Sequence, residues 1–176
     1  LHELAKATVE ELQQLKGVGR DKAVTVVAAF ALARRLVEEL VEETGPLNSP
    51  KAVADLMREQ ARLCTVETFW VALLNTRHRL LKLEKISQGT LDTILIHPRE
   101  VFRPAIAAKA AALILIHNHP SGDPTPSEAD LRVTRDLVRA GQILRIEVLD
   151  HVILGRATAA RPQDYVSLRE LGALHP

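Results

Sequence analysis

The sequence predicts an α/β domain preceded by a small helical hairpin. Three observations carry that expectation. A helical-period segment ends at TGPLNSP (Thr44 to Pro50), where Gly, Asn, Ser and two prolines break the pattern. Beyond it, short runs of strand formers alternate with helical stretches, and Ala111 to Ile116 is one continuous apolar run, as in a buried central strand. The organisation read from this is a helical segment at 1–44, a linker at 45–50 and an α/β domain at 51–176.

Each element has a local reason. Thr8-Val-Glu-Glu11 has the form of a capping box and starts a short helix to about Leu15. Lys16-Gly-Val-Gly-Arg20 makes a turn, and a long helix runs from about Asp21 to Glu43. Ala23, Val24, Val27, Ala28, Ala31 and Leu32 give that helix a face expected to pack. After the linker, Lys51 to Leu63 has helical period. Glu67 to Asn75, Leu80 to Ile86 and Thr90 to Ile96 read as strands. Pro98 sits where a helix begins and Lys109 near its end. Ser127 opens another helix, with Gly141 in the stop position. Ile143 to Leu154 reads as one bent strand or two short ones.

Composition narrows the function. The 176 residues are 47% apolar, enough for a core without disulfides, and the lone Cys64 fits a reducing compartment. A net charge of +1 gives no bulk attraction to nucleic acid or to a membrane surface. No apolar run reaches membrane-spanning length. The expectation is a cytoplasmic protein with no membrane partner. The start at Leu1, without an initiator methionine, reads as a fragment of a longer chain.

The segment His117-Asn-His-Pro-Ser-Gly-Asp-Pro-Thr-Pro-Ser-Glu-Ala-Asp130 carries the chemistry. Residues i and i+2 of an extended chain face the same way, so His117 and His119 converge at the end of the apolar run. Three prolines force a turn, and the helix opened by Ser127 brings Asp130 back towards the strand end. Two imidazoles and a carboxylate form a three-ligand set that leaves a fourth position of a tetrahedral zinc open for water. A rival reading stands beside it: Ser127 to Asp130 is also a capping box, and a first-turn aspartate favours the helix dipole without any metal.

The same residues resemble a known signature. His117-x-His119-Pro120, followed by Ser127 and Asp130, is similar to the JAMM motif of the JAB/MPN metalloproteases. The longer phrase, with His97-Pro-Arg-Glu100 upstream and Leu149-Asp-His151 downstream, resembles the RadC family, historically called a DNA repair protein. The resemblance implies a JAB/MPN-like (cytidine-deaminase-like) mixed β-sheet flanked by helices. It implies one Zn²⁺ per chain on His117, His119 and Asp130, and an oxyanion-stabilising role for Ser127. It also implies a general base, for which Glu67-Thr-Phe-Trp-Val-Ala-Leu-Leu74 resembles the family's Glu-x-x-Gly-Leu-Leu segment without its glycine. A strand-start surface carboxylate is the plainer use of Glu67. Glu100 competes for the role, although Arg99 and Arg103 beside it make a salt bridge the expected use.

Leu15 to Ala23 resembles a helix-hairpin-helix. There Gly17 and Gly19 would expose backbone N–H groups to a phosphate, and Lys16, Arg20 and Lys22 would add positive charge. Such contact with DNA would be weak and sequence-independent. The glutamates at 38, 39, 42 and 43 oppose it, and a turn used only for packing is the alternative. Three functions follow: a zinc hydrolase of peptide or isopeptide bonds acting on an unidentified protein, a DNA-binding accessory protein with a structural metal, or a metal-dependent nuclease.

Overall fold

The computed structural model describes residues 4, 7–43, 45–89 and 96–174, with the backbone alone at 34–43. The chain forms two compact units, residues 1–45 and 46–176. In the first, α1 (Val9–Gln13) packs on α2 (Arg20–Glu43). The Thr8 hydroxyl accepts from the Glu11 amide (3.2 Å), and the Glu11 carboxylate accepts from the Thr8 amide (2.8 Å), completing the expected capping box. Gly17 takes φ +87°, a left-handed conformation that lets the chain reverse. Ala23 is buried, whereas Val24 and Leu32 of the face expected to pack stay exposed. The reason is length: five residues of α1 cover only the first turns of α2.

The second unit has the order α3 (Pro50–Arg62), β1 (Thr68–Leu74), β2 (Leu80–Gln88), α4 (Pro98–Ala107), β3 (Ala112–Asn118), α5 (Glu128–Leu144), β4 (Glu147–Leu154) and β5 (Tyr165–Ser167). The five described strands form one mixed sheet in the order β2-β1-β3-β4-β5. Pairing is parallel between β3 and β4 and antiparallel elsewhere. Both faces are covered, so β1 and β3 are buried along their whole length, as near-continuous apolar sequences require. Alternation divides their side chains between two cores. Phe69, Val71, Leu73, Leu113 and Leu115 pack with Phe102 of α4 and Leu137 of α5. Trp70, Ala72, Leu74, Ile114 and Ile116 pack on the other face with Val53, Ala54 and Met57 of α3. Residues 46–50 belong to this unit: Leu47 is buried in the α3 core, and its amide donates to the His78 carbonyl (2.9 Å).

One difference from expectation has a physical cause. The helix α5 runs past Gly141 to Leu144 and stops at Arg145, itself left-handed at φ +56°. Gly141 is there for close packing, since a Cβ would lie 2.5 Å from the Ile146 carbonyl oxygen. Ile143 and Leu144 are therefore helical, and β4 is a single strand whose register shifts opposite Leu113 and Ile114. Residues 90–95 of the expected strand at Thr90 to Ile96 lie outside the described residues. Glu100 pairs with Arg99 (3.2 Å) and Arg103 (3.4 Å).

An ion pair ties α3 to the segment entering β5. Arg58 Nε and Nη2 donate to the two oxygens of Asp164 at 2.6 and 3.1 Å. The Arg58 guanidinium holds the Asp164 carboxyl below its usual range, a stabilisation present above the unfolded value near 3.9 and lost as pH falls through the lower folded value. Asp164→Asn is expected to cost about 1–2 kcal/mol at neutral pH and nothing in strong acid. Chemical denaturation at the two pH values checks it.

Candidate metal centre

The strand β3 continues through the histidines because it is paired on both sides, with Phe69 opposite His117 and Leu154 opposite Asn118. The His119 amide still donates to the Leu154 carbonyl (2.8 Å) before the chain turns. The turn is held by the segment that leaves the neighbouring strand β4. The Arg156 amide donates to the Gly122 carbonyl (2.8 Å), and Arg161 reaches the same carbonyl (2.7 Å) and the Asp123 carboxylate (2.9 Å). The loops approach so closely that a Cβ on Gly155 would sit 2.5 Å from the Gly122 oxygen. Ser127 then caps α5, its hydroxyl accepting from the Asp130 amide (3.2 Å), and α5 carries Asp130 inward to full burial.

His117, His119 and Asp130 meet as their spacing predicts. The two Nε2 atoms are 2.8 Å apart. Asp130 Oδ1 is 3.2 Å from His117 Nε2, and Asp130 Oδ2 is 3.5 Å from His119 Nε2. Two ligands about 2.05 Å from a tetrahedral ion lie roughly 3.3 Å apart, so the three donors stand at coordination spacing. Glu67 Oε1 lies 3.8 Å from His119 Nε2, and one ligand atom from each of Glu67, His117 and His119 fits within 4.8 Å.

Proton bookkeeping shows that this set fits a cation. His119 Nδ1 faces the Asp123 carbonyl at 2.7 Å, which can only accept, so the proton of the neutral ring sits on Nδ1 and Nε2 is bare. Asp130 Oδ1 is buried with no hydrogen-bond partner, a costly omission without an ion. Burial would raise the Asp130 carboxyl, but the His117 and His119 imidazoles outweigh it and hold the group far below its usual range. Burial drives His117 down despite Asp130. It also opposes charge on His119, where Asp130 and the Asp123 carbonyl prevail and the net shift is upward. The set is thus an ionised carboxylate beside two imidazoles.

The other expected site residues are placed as follows. Ser127 donates its hydroxyl proton to Asp130 Oδ2 (2.7 Å), so the capping box and the aspartate share one network. With Glu67, His119, Pro120 and Arg132 it lines an open cavity of about 670 Å³. Lys16, Gly17, Gly19, Arg20 and Lys22 are exposed, and Lys22 Nζ donates to the Gly17 carbonyl (3.2 Å). The sequence assigns no role to His151 or Thr134, and for Asn118 it leaves open whether the side chain fixes the strand to its neighbour or contacts substrate. Asn118, between the two histidines, accepts from the Thr68 amide (2.9 Å) and donates to the Val66 carbonyl (3.2 Å), bracketing Glu67. His151 and Thr134, both fully buried, stand behind His117. The available signal for His151 was a pair of polar residues, Asp150-His151, interrupting an apolar strand.

Fold and site together define a three-layer α/β domain with a histidine-carboxylate cluster that could hold a metal ion. Residues 47–173 match the RadC-like JAB domain, and the chain belongs to that family. Its relatives include a UPF0758 protein of Desulforudis audaxviator, 49% identical over 155 residues, which are 88% of this chain and 67% of the relative. A UPF0758 protein of Moorella thermoacetica is 51% identical over 152 residues (86% and 66%). One from Pelobacter propionicus is 42% identical over 174 residues (99% and 73%). Among the described residues no helix is long and apolar enough to cross a membrane.

Proposed function

We propose that the chain is a zinc hydrolase of amide bonds, peptide or isopeptide, with one ion held by His117, His119 and Asp130. The observation that carries this is Asp130 Oδ1, a buried carboxylate oxygen with no hydrogen-bond donor, 3.2 Å from His117 Nε2. Bound zinc supplies Lewis acidity, polarising a carbonyl and making water acidic near pH about 7. Glu67, at the edge of the open cavity, takes the proton of the attacking water and delivers it to the leaving amine. Ser127 orients Asp130 and, on rotating its hydroxyl, donates to the developing oxyanion. A two-metal nuclease is disfavoured, because Asp123, the further carboxylate nearest the histidines in sequence, is exposed and has its Oδ1 engaged by Thr125 and Arg161. The test is zinc content and coordination by X-ray absorption after reconstitution, with release of amine from isopeptide-linked substrates. One zinc with nitrogen and oxygen ligands and amide cleavage are expected; no bound metal would end this reading.

The exposed glycine turn is proposed as a phosphate contact, linking the hydrolase to DNA transactions. Lys16→Glu should weaken binding to duplex DNA evenly across sequences and lower the salt slope by about 1. Binding unchanged by this substitution would leave the turn as a packing device.

A further inference from the structure

Behind His117 runs a buried chain of polar groups that the hydrolytic step does not use. Thr134 Oγ1 lies 2.5 Å from the Asp130 backbone carbonyl and 2.6 Å from His151 Nδ1, and His151 Nε2 lies 2.9 Å from His117 Nδ1. Thr134, His151 and His117 are all completely buried, so no solvent contact fixes where their protons lie. Two arrangements satisfy the histidine pair. In one, each imidazole carries its proton on Nδ1, and His117 Nε2 is bare. In the other, each carries it on Nε2, and His117 presents an N–H to the centre where a metal would bind.

The bare His119 Nε2 at 2.8 Å and Asp130 Oδ1 at 3.2 Å draw the proton towards His117 Nε2, and the Asp130 backbone carbonyl opposes them from the other end of the chain. The Thr134 hydroxyl donates to that carbonyl, and with its proton so directed Thr134 Oγ1 accepts from His151 Nδ1–H. His151 Nε2 is left bare and accepts from His117 Nδ1–H, so His117 Nε2 has no proton. We propose that Thr134 and His151 are positioning residues for the metal centre, setting His117 in its ligating tautomer by a hydrogen-bond chain anchored on the Asp130 carbonyl. This inference rests on the metal-binding reading above. The chain starts on one ligand residue, Asp130, and ends on another, His117. Backbone placement of the aspartate and protonation of the histidine are therefore one arrangement. Outer groups that fix a ligand's tautomer typically change metal affinity by roughly 10–100-fold.

Thr134→Val is near-isosteric and removes only the hydroxyl. His151 Nδ1 then lacks an acceptor, its Nε2–H form becomes favoured, and His117 is driven to the blocking tautomer. Long-range ¹H–¹⁵N correlation of the imidazoles in the metal-free protein, at alkaline pH, reads the tautomers directly. Chelator competition reads zinc affinity. The expected result is Nδ1–H on both His117 and His151 in the unmodified chain. In Thr134→Val, His117 shifts towards Nε2–H and zinc affinity falls by roughly tenfold or more, while Thr134→Ser behaves as the parent. A parent His117 protonated on Nε2, or Thr134→Val with unchanged tautomers and affinity, overturns the proposal. Should Thr134→Val not fold, the parent spectrum still decides it. Failure of the parent to bind zinc would sink the hydrolase reading while the tautomer result in metal-free protein stood apart.

Discussion

His119→Ala is expected to abolish stoichiometric zinc binding. His119 is the one ligand with a partly exposed side chain, 12% accessible, at the mouth of the cavity, so its loss leaves a two-donor site open to water. The effect exceeds the roughly 10–100-fold loss that outer residues cause. Thermal unfolding with added zinc is the measurement. The parent should gain about 2.7 kcal/mol at zinc concentrations near 100 times its Kd, and the variant should gain nothing. An equal zinc-dependent stabilisation of both proteins would place the ion elsewhere. The metal-free variant should remain folded, because removing the ring relieves its close approach to His117 Nε2 (2.8 Å) and Asp130 Oδ2 (3.5 Å).

Glu67→Gln is expected to give the converse phenotype. The amide keeps the size of the carboxylate but cannot take a proton, so turnover should fall by roughly 10²–10⁴ while zinc binding persists. Parallel assays of amide cleavage and metal content separate the two effects. Near-parental turnover would assign the base elsewhere and leave Glu67 as a carboxylate at the start of β1. Together the two variants divide holding the ion from moving the proton.

Much of this centre was legible because its signals are local. The strand period puts His117 and His119 on one side, prolines at 120, 124 and 126 compel the return, and a capping pattern announces the helix that carries Asp130. The same capping pattern had offered a metal-free reading of Asp130. Its buried, unpartnered Oδ1 is visible only after folding. His151 was illegible for another reason: its contact with His117 spans 34 residues and depends on the parallel register of β3 with β4. Gly141 misled because a glycine needed for close packing looks, in sequence, like a stop signal. The strand β5 has three residues in a polar stretch and no periodicity to read.

The bracket that Asn118 forms around Glu67 bears on how such a centre could be moved to another scaffold. Its side chain grips the residues on either side of the glutamate, so the spacing between Glu67 and the two histidines is set within one strand pair. The smallest portable unit is therefore β1 with β3, the proline turn and the first turn of α5. A graft of the two histidines, the aspartate and the glutamate alone would carry the ligands without the ruler that spaces them.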